Sequence, residues 1–282
     1  MIAIDSESAQ KPAKEYWDVM SIRRADFDHG RTRNIAARAA SGEILVFMTQ
    51  DALPYDDFLI ERLTERLRIP GVAACFARQI ARVDAPQAER VSRLLNYPAI
   101  GHERSLDTDR ALTSKMLFFS NVCSAIDRRA FDEVGQFPEH VLINEDMALC
   151  GRLLRAGKTV TYCAQAVVIH SHSYGVRYVF RRNFDMGAFF AMQHAELGAI
   201  SVAGDGASFV RQQAAALIRS RAYASLMQAT LQNIVRLVGY SIGRHGSNLP
   251  RRVAATLSLN PAYWFESPTG QRAHGLRGPS DR

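Results

Sequence analysis

The stretch from residue 29 to residue 57 constrains the fold more than any other part of this chain. An arginine-rich segment at 29–34 leads into a helical pattern at 33–40, and the apolar run Ile44–Met48 then ends close to Asp51. Five consecutive apolar residues without alternation are typical of a strand buried on both faces of a parallel sheet. The run therefore predicts a central strand, with Asp51 just beyond its carboxyl end.

Strand and helix patterns alternate through the first two thirds of the chain. Strands are expected at 1–4, 19–22, 44–48, 72–76, 117–119, 122–126, 158–162 and 166–169, and helices at 9–17, 33–40, 54–68, 88–95, 144–155 and 176–197. This alternation indicates a doubly wound α/β domain over residues 1–200, followed by a small, flexible segment at 198–206. Ligands of such domains gather at the carboxyl ends of the strands.

The composition indicates the cellular compartment of the protein. The four cysteines lie in apolar segments without metal-ligand spacing, so they are expected to be buried free thiols of a reducing compartment. The sequence has no run of about 18 apolar residues and no signal-peptide pattern at its amino terminus. These features predict a cytoplasmic protein.

The net charge of +7 belongs to the carboxyl-terminal segment, which has seven arginines and no acidic residue between 206 and 265. A basic amphipathic helical extension is expected over 207–265, with its strongest helical pattern at 208–244. The helix either packs its apolar side on the domain or lies on an anionic membrane surface. Nucleic acid is a poor partner because no aromatic residues alternate with the arginines. The tail at 266–282 is expected to be disordered.

Asp51 is the first candidate for chemistry. A carboxylate directly after a strand, with basic residues in the preceding segment, suits a divalent cation that carries a diphosphate. The alternative is a carboxylate that caps the next turn or helix, which is the more common role of a single aspartate.

Glu145 and Asp146 are the second candidate. Adjacent carboxylates in the first turn of a helix are stabilised by the macrodipole even without a catalytic role. The functional alternative is a general base that deprotonates an acceptor hydroxyl. Because neighbouring helical side chains diverge by about 100°, one of the two is expected to face a site and the other to make structural contacts.

His170 and His172 are the third candidate. In an extended segment, residues two apart share a face, so both imidazoles could approach the same point. The alternative is a pair of polar residues that end a strand.

The order of these features resembles family 2 glycosyltransferases with a GT-A fold, and in particular bacterial rhamnosyltransferases. The matching segments are 27–34, 46–54, 119–122, 144–147 and 170–172, which span most of residues 1–197. The resemblance implies a Rossmann-like, mostly parallel central sheet flanked by helices, with a carboxyl-terminal helical extension. It also implies that the family's first strand is missing here, because the chain starts at about the second.

The resemblance assigns roles to individual residues. Asp51 resembles the family's metal-binding aspartate, and His172, or less favourably His170, resembles the histidine that completes the Mg²⁺ or Mn²⁺ site. Asp146 resembles the catalytic base, with Glu145 beside it. The remaining matches resemble the nucleotide-sugar site and comprise Asp5, His29, Gly30, Arg33, Asn34, Gln50 and Asn121.

The implied activity is inverting transfer of a sugar, with rhamnose favoured, from a nucleoside-diphosphate donor such as dTDP-rhamnose. The acceptor would be a glycan or lipid-linked saccharide in surface polysaccharide synthesis, at the inner face of the cytoplasmic membrane. The alternative is a truncated, inactive homologue that acts as a binding or interaction protein.

Overall fold

A computed structural model describes residues 1–8, 15–106, 112–193 and 205–265. The strands are β1 (Ile2–Asp5), β2 (Asp18–Ser21), β3 (Ile44–Met48), β4 (Leu53–Pro54), β5 (Val72–Ile80), β6 (His102–Arg104), β7 (Cys123–Asp127) and β8 (Thr159–Ile169). The α-helices are α1 (His29–Ala39), α2 (Leu59–Leu67), α3 (Gln87–Asn96), α4 (Ser114–Leu117), α5 (Arg128–Glu133), α6 (Glu145–Arg155), α7 (Val176–Met192), α8 (Asp205–Arg219), α9 (Tyr223–Gly243) and α10 (Arg251–Leu257). Most of the expected helix at 9–17 and most of the flexible segment at 198–206 lie outside these residues. The tail at 266–282 lies wholly outside them.

The main sheet is mixed, so the expectation of a mostly parallel sheet was wrong. Its strand order is β3-β7-β5-β8-β4, with β6 paired to β8. Only β5 and β8 pair in parallel, because β7 runs antiparallel between β3 and β5. Strands β3, β5 and β8 nevertheless point the same way, and their carboxyl ends share one edge. Strands β1 and β2 form a separate parallel pair.

Strand β3 is not buried on both faces. Leu45 and Phe47 are buried, whereas Val46 and Met48 are 38% and 41% exposed. Among the described strands β3 lies at the end of the sheet beside β7, and the face that carries Val46 and Met48 is not fully covered. Burial on both faces depends on which elements cover the strand, and an apolar run alone does not specify them.

Other elements shift in ways that local contacts explain. Helix α1 begins at His29, earlier than expected, because the Asp28 carboxylate accepts a hydrogen bond from the Arg31 backbone N–H. The strand expected at 117–119 does not form. Leu117 ends α4, which is capped by the Thr113 hydroxyl, and residues 118 and 119 follow it without regular secondary structure. The two strands expected at 158–169 form the single strand β8.

The core lies between the sheet and helix α6, whose side chains from Met147 to Leu154 are mostly buried. Aromatic residues of β5, β8 and the segment after α4 pack there, with the Phe76 ring 5.1 Å from that of Tyr162 and 5.3 Å from that of Phe119. The four cysteines are buried and free, in agreement with the sequence.

Helices α7 and α9 pack against each other through three glycines, which we call the glycine seam. A Cβ on Gly187 would lie 2.2 Å from the Tyr240 carbonyl oxygen. On Gly239 or Gly243 it would lie 2.5 Å or 2.0 Å from a carbonyl oxygen of α7. No side chain fits at such distances, so the seam fixes the crossing of the two helices.

The face of α9 opposite the seam is apolar and exposed. This apolar stripe consists of Tyr223, Met227, Leu231, Ile234, Val238 and Ile242, which are 37–74% exposed. Of the two alternatives for this helix, the apolar stripe does not pack on the domain. Ala229, Gly239 and Gly243 are the buried residues of α9. Helices α8 and α9 are separate, because Arg221 between them has a left-handed φ of 56°. Within the described ranges, no helix is long and apolar enough to span a bilayer.

Candidate active site

Strand pairing brings Asp51 to the histidines. Asp51 follows β3 in a tight turn, in which the Ala52 N–H donates to the Thr49 carbonyl oxygen at 3.1 Å. The chain then enters β4, where Leu53 pairs with Ile169 at the end of β8. Because His170 directly follows Ile169, the carboxyl ends of β3 and β8 meet at this point.

Asp51, His170 and His172 form a cluster suited to a metal ion, which we call the triad. The Asp51 Oδ2 atom lies 2.9 Å from His172 Nε2 and 3.5 Å from His170 Nε2, and the two Nε2 atoms are 2.9 Å apart. Ligand atoms at about 2.1 Å from an ion lie about 3 Å from each other at right angles. The spacing and the donor set therefore fit a divalent cation, and both histidines belong to the cluster.

A buried network orients His170. Gln79, which is 2% exposed, accepts a hydrogen bond at its Oε1 atom from His170 Nδ1 at 2.9 Å and another from Arg93. Its Nε2 atom donates to the Tyr97 hydroxyl at 2.7 Å and to Ser120 Oγ at 2.9 Å. These contacts fix the amide and require the His170 proton on Nδ1, which leaves the Nε2 lone pair facing Asp51.

His170 is also held in its neutral form. Burial, followed by the charge of nearby Arg93, lowers the pKa of His170 to about 4. A neutral imidazole is the form that binds metal ions.

Glu145 and Asp146 have different environments, as the helical geometry predicted. The Glu145 carboxylate is 2.7 Å from the Arg33 guanidinium in a largely buried ion pair. The Asp146 carboxylate accepts hydrogen bonds from the backbone N–H groups of Asn121 and Met147 at 3.2 and 2.8 Å. Glu145 thus makes the structural contact, while Asp146 stays partly exposed.

Asp146 has the properties of a base that works near neutral pH. Burial, followed by the charge of Glu145, raises the pKa of Asp146 to about 7. A base is most effective when its pKa lies near the working pH.

Asn121 adds an unpaired donor beside Asp146. Its Oδ1 atom accepts from Ser124 Oγ at 2.9 Å, but its buried Nδ2 atom has no partner among the described residues. An unpaired buried amide is destabilising, and its presence here suits a ligand oxygen.

Two of the predicted nucleotide-sugar residues, Asn34 and Gly30, make packing contacts within the domain. Asn34 is 2% exposed and bonds the Phe137 backbone N–H and carbonyl oxygen, which ties α1 to the turn before α6. Gly30 allows α1 to lie close to the same turn, since a Cβ on Gly30 would lie 2.0 Å from the Pro138 carbonyl oxygen. The helix expected at 33–40 begins earlier, so residues 29–34 form the first turns of α1.

The other predicted residues are dispersed around the site. Asp5 ends β1 and accepts a hydrogen bond from the Ser8 N–H at 3.0 Å. His29 lies at the exposed start of α1, with its ring 4.9 Å from that of Phe27. Gln50 is exposed next to Asp51.

Sequence reasoning missed Gln79, Arg93 and Tyr97. Gln79 is a polar residue near the end of the otherwise apolar strand β5. A lone amide in such a strand must find partners when it is buried, and this signal could have singled it out.

The triad is a metal-type cluster in an α/β domain, and Asp146 has the raised pKa that suits a general base, a combination typical of an α/β enzyme. Residues 1–135 match the family model described as Glycosyl transferase family 2. The O-antigen chain rhamnosyltransferase RfbN of Salmonella typhimurium is 33% identical over 273 residues, which cover 94% of this chain and 86% of that protein. WbaN of Salmonella anatum, also an O-antigen chain rhamnosyltransferase, is 32% identical over 94% of this chain and 85% of its own length. The chain therefore belongs to glycosyltransferase family 2.

Comparison with solved structures confirms the GT-A fold. The mannosyltransferase PcManGT from Pyrobaculum calidifontis superposes with a TM-score of 0.54 at 17% identity, over 85% of this chain and 76% of that one. That structure is a complex with GDP-Man and Mn²⁺.

Proposed function

We propose that this glycosyltransferase transfers rhamnose from a nucleoside-diphosphate donor to a glycan or lipid-linked acceptor in surface polysaccharide synthesis. The similarity to two O-antigen chain rhamnosyltransferases over nearly the whole chain supports the sugar and the pathway class. The triad is the observation that carries the proposal, because a diphosphate leaving group needs neutralisation.

The triad would hold a divalent cation through one carboxylate and two imidazoles. Such a cation stabilises the negative charge of the departing nucleoside diphosphate. We favour Mn²⁺ over Mg²⁺, because Mg²⁺ prefers oxygen ligands and binds imidazole poorly. The Mn²⁺ of the mannosyltransferase neighbour agrees with this choice.

Asp146 would take the proton from the acceptor hydroxyl, which attacks the anomeric carbon on the face opposite the leaving group and inverts its configuration. Asn121 would donate its free Nδ2–H to a substrate oxygen beside this base. Arg33 stabilises Glu145 and places a cation near the donor. Asp5, His29 and Gln50 are left as candidates for contacts with the nucleotide.

Product formation from dTDP-rhamnose tests the function directly. The chain is incubated with Mn²⁺, lipid-linked saccharides and either dTDP-rhamnose, GDP-mannose or UDP-GlcNAc, and nucleotide release and product mass are measured. We expect transfer from dTDP-rhamnose alone. Transfer from another donor would contradict the assigned sugar but keep the enzyme class.

The hydrogen bond from His170 to Gln79 should matter for metal affinity. Gln79→Leu removes the acceptor for Nδ1–H, so we expect Mn²⁺ binding to weaken about 10–100-fold, as when other partners of metal-binding histidines are removed. Gln79→Glu keeps an acceptor and should retain most of the affinity. Mn²⁺ titration followed by electron paramagnetic resonance measures both variants without any donor.

Gln165→Leu is the matched control, because Gln165 is an exposed glutamine of β8. Nitrogen couplings in electron spin-echo spectra count the bound imidazoles. Unchanged Mn²⁺ affinity and couplings in Gln79→Leu would contradict the role of Gln79.

We further propose that α9 binds the inner face of the cytoplasmic membrane through its apolar stripe. Six exposed apolar side chains along one helix face would enter the interface, and exposed arginines flank them, including Arg219, Arg221 and Arg244. Because residues 206–265 contain no acidic residue, anionic headgroups would attract this surface without local repulsion. A lipid-linked acceptor would give this contact a purpose.

Vesicle flotation tests the membrane contact. The wild-type chain is expected to float with vesicles that contain anionic phosphatidylglycerol and to stay unbound with phosphatidylcholine alone. Leu231→Gln with Ile234→Gln should reduce flotation about tenfold or more, because two apolar side chains then no longer enter the interface. Phe58→Gln with Ile60→Gln is the control, since these α2 residues are similarly exposed. Equal flotation of both double variants would rule out binding through α9.

A further inference from the structure

A polar cavity lies between the triad and the carboxyl-terminal helices. Its volume is about 280 Å³, and its walls come from α3, the segment after β8, α7 and α9. We call it the α9 cavity. Six of its lining residues can contact a polar ligand, namely Glu89, His172, Tyr174, Gln228, Gln232 and Arg236. Because His172 belongs to the triad, a molecule in the cavity lies next to the reacting centre.

The α9 residues of this lining lie on one face. Gln228, Gln232 and Arg236 are spaced four apart, so they follow each other along the helix on the side away from the apolar stripe. Helix α9 thus directs these three residues, of which Gln232 and Arg236 are half-buried, to the cavity, while its large apolar residues point outward. This is the reverse of a helix that only packs on a core.

The polar groups of the cavity are available to a ligand. Neither the Gln228 amide nor the Gln232 amide has a hydrogen-bond partner within the described part of the chain. Glu89 is paired with Arg93 at 2.7 Å, yet its carboxylate keeps further acceptor capacity. Amides, a carboxylate and a guanidinium together offer both donors and acceptors, which is what the hydroxyl groups of a sugar require.

An aromatic wall joins the cavity to the triad. The Tyr174 ring stacks on His172 at 4.9 Å and on Tyr178 at 4.0 Å, with interplanar angles of 24° and 15°. The volume lies just below the range of about 300–1,000 Å³ typical of drug-sized ligands, which suits a single monosaccharide unit.

None of the candidate donor residues lines the cavity. Asp5, His29 and Arg33 belong to β1 and α1, and Asn121 precedes β7, whereas the cavity is formed by other elements. The two sets of residues therefore belong to different elements of the fold.

We propose that the α9 cavity is the saccharide acceptor subsite and that Gln228 and Gln232 bind hydroxyl groups of the acceptor sugar. This inference rests on the proposed function, since it takes the reaction as sugar transfer. The occupant is the terminal monosaccharide unit of the acceptor. On the exposed side of α9, the apolar stripe would keep a lipid-borne acceptor within reach of the cavity.

Saturation-transfer NMR with simple glycosides tests the subsite. The probes are methyl α-D-glucopyranoside, methyl α-D-mannopyranoside and methyl α-L-rhamnopyranoside at millimolar concentration. We expect saturation transfer from the wild-type chain to at least one probe. Gln232→Leu should weaken that binding about tenfold, because one amide that bonds the sugar is lost. Gln228→Leu, at an exposed position that tolerates substitution, should have a similar effect.

Gln212→Leu is the matched control, because Gln212 is exposed on α8 away from the cavity. Calorimetric titration of all three variants with dTDP-rhamnose and Mn²⁺ should give wild-type donor affinity. No saturation transfer to any probe by the folded wild type, or equal transfer to all variants, would overturn the subsite. Loss of donor affinity in Gln232→Leu would assign the cavity to the donor instead. Probe binding without donor binding by the wild type would contradict only the proposed function.

Discussion

Asp146→Asn is expected to lower the turnover of sugar transfer by about 10²–10⁴, the usual contribution of a general base. The amide keeps the shape of the carboxylate but cannot accept the proton of the acceptor hydroxyl. Donor affinity should stay close to wild type, because Asp146 is not part of the triad. Steady-state kinetics with saturating donor, together with calorimetric donor titration, separates the two effects.

The pH dependence of the wild type follows from the same residue. Since the pKa of Asp146 is raised to about 7 by burial and by Glu145, turnover should fall about tenfold per pH unit below that value. The folded protein should also lose stability as the pH rises from about 4 through about 7, because the unfolded chain releases this proton more easily. Thermal unfolding across this range measures the second effect.

Glu145→Gln distinguishes the two neighbouring carboxylates. It removes the ion pair with Arg33 and is expected to reduce stability. The acid limb of the pH profile should remain but move to lower pH, because the Glu145 charge helps to raise the pKa of Asp146. Unchanged turnover in Asp146→Asn would withdraw its assignment as base. Loss of the acid limb in Glu145→Gln alone would transfer that role to Glu145.

Asp51→Ala is expected to abolish metal-dependent donor binding, with affinity for dTDP-rhamnose in the presence of Mn²⁺ about 100-fold weaker. Asp51 supplies the one carboxylate of the triad, and two neutral imidazoles alone give no charge to hold the cation. Calorimetric titration with and without Mn²⁺ measures the loss. Asp57→Ala is the control, because Asp57 is an exposed acid in the next turn.

Donor binding by the wild type that is independent of Mn²⁺ would contradict the metal role of the triad. A folded wild-type chain that binds no donor at all would support the inactive homologue instead. Neither the triad geometry nor the similarity to the two rhamnosyltransferases favours that alternative.

The candidate residues could be picked out from the sequence, whereas the elements that surround them could not. Asp51, Glu145 with Asp146, and His170 with His172 were all identified from position and residue type, and the structure brings Asp51 and the two histidines into one cluster. The preference for His172 over His170 could not be settled from the sequence. It depends on Gln79, which is 91 residues away along the chain.

The fold class was predictable, but the sheet topology was not. The alternation of strand and helix patterns predicted an α/β domain, and the antiparallel insertion of β7 between β3 and β5 leaves no trace in local periodicity. Strand β3 was expected to be buried on both faces, because an apolar run does not show which elements cover a strand. The orientation of α9 was also missed, because its apolar residues show amphipathicity without showing which face meets the domain.

With the acceptor sugar in the α9 cavity, the glycine seam would allow acceptor specificity to change while α9 keeps its position. Contact between α7 and α9 runs through backbone atoms at Gly187, Gly239 and Gly243, so the docking of α9 does not depend on the side chains that line the cavity. Residues 228 and 232 can therefore diverge among descendants of this chain while the helix keeps its place. Acceptor choice would then evolve separately from donor chemistry, and the seam glycines would change more slowly than the amides beside them.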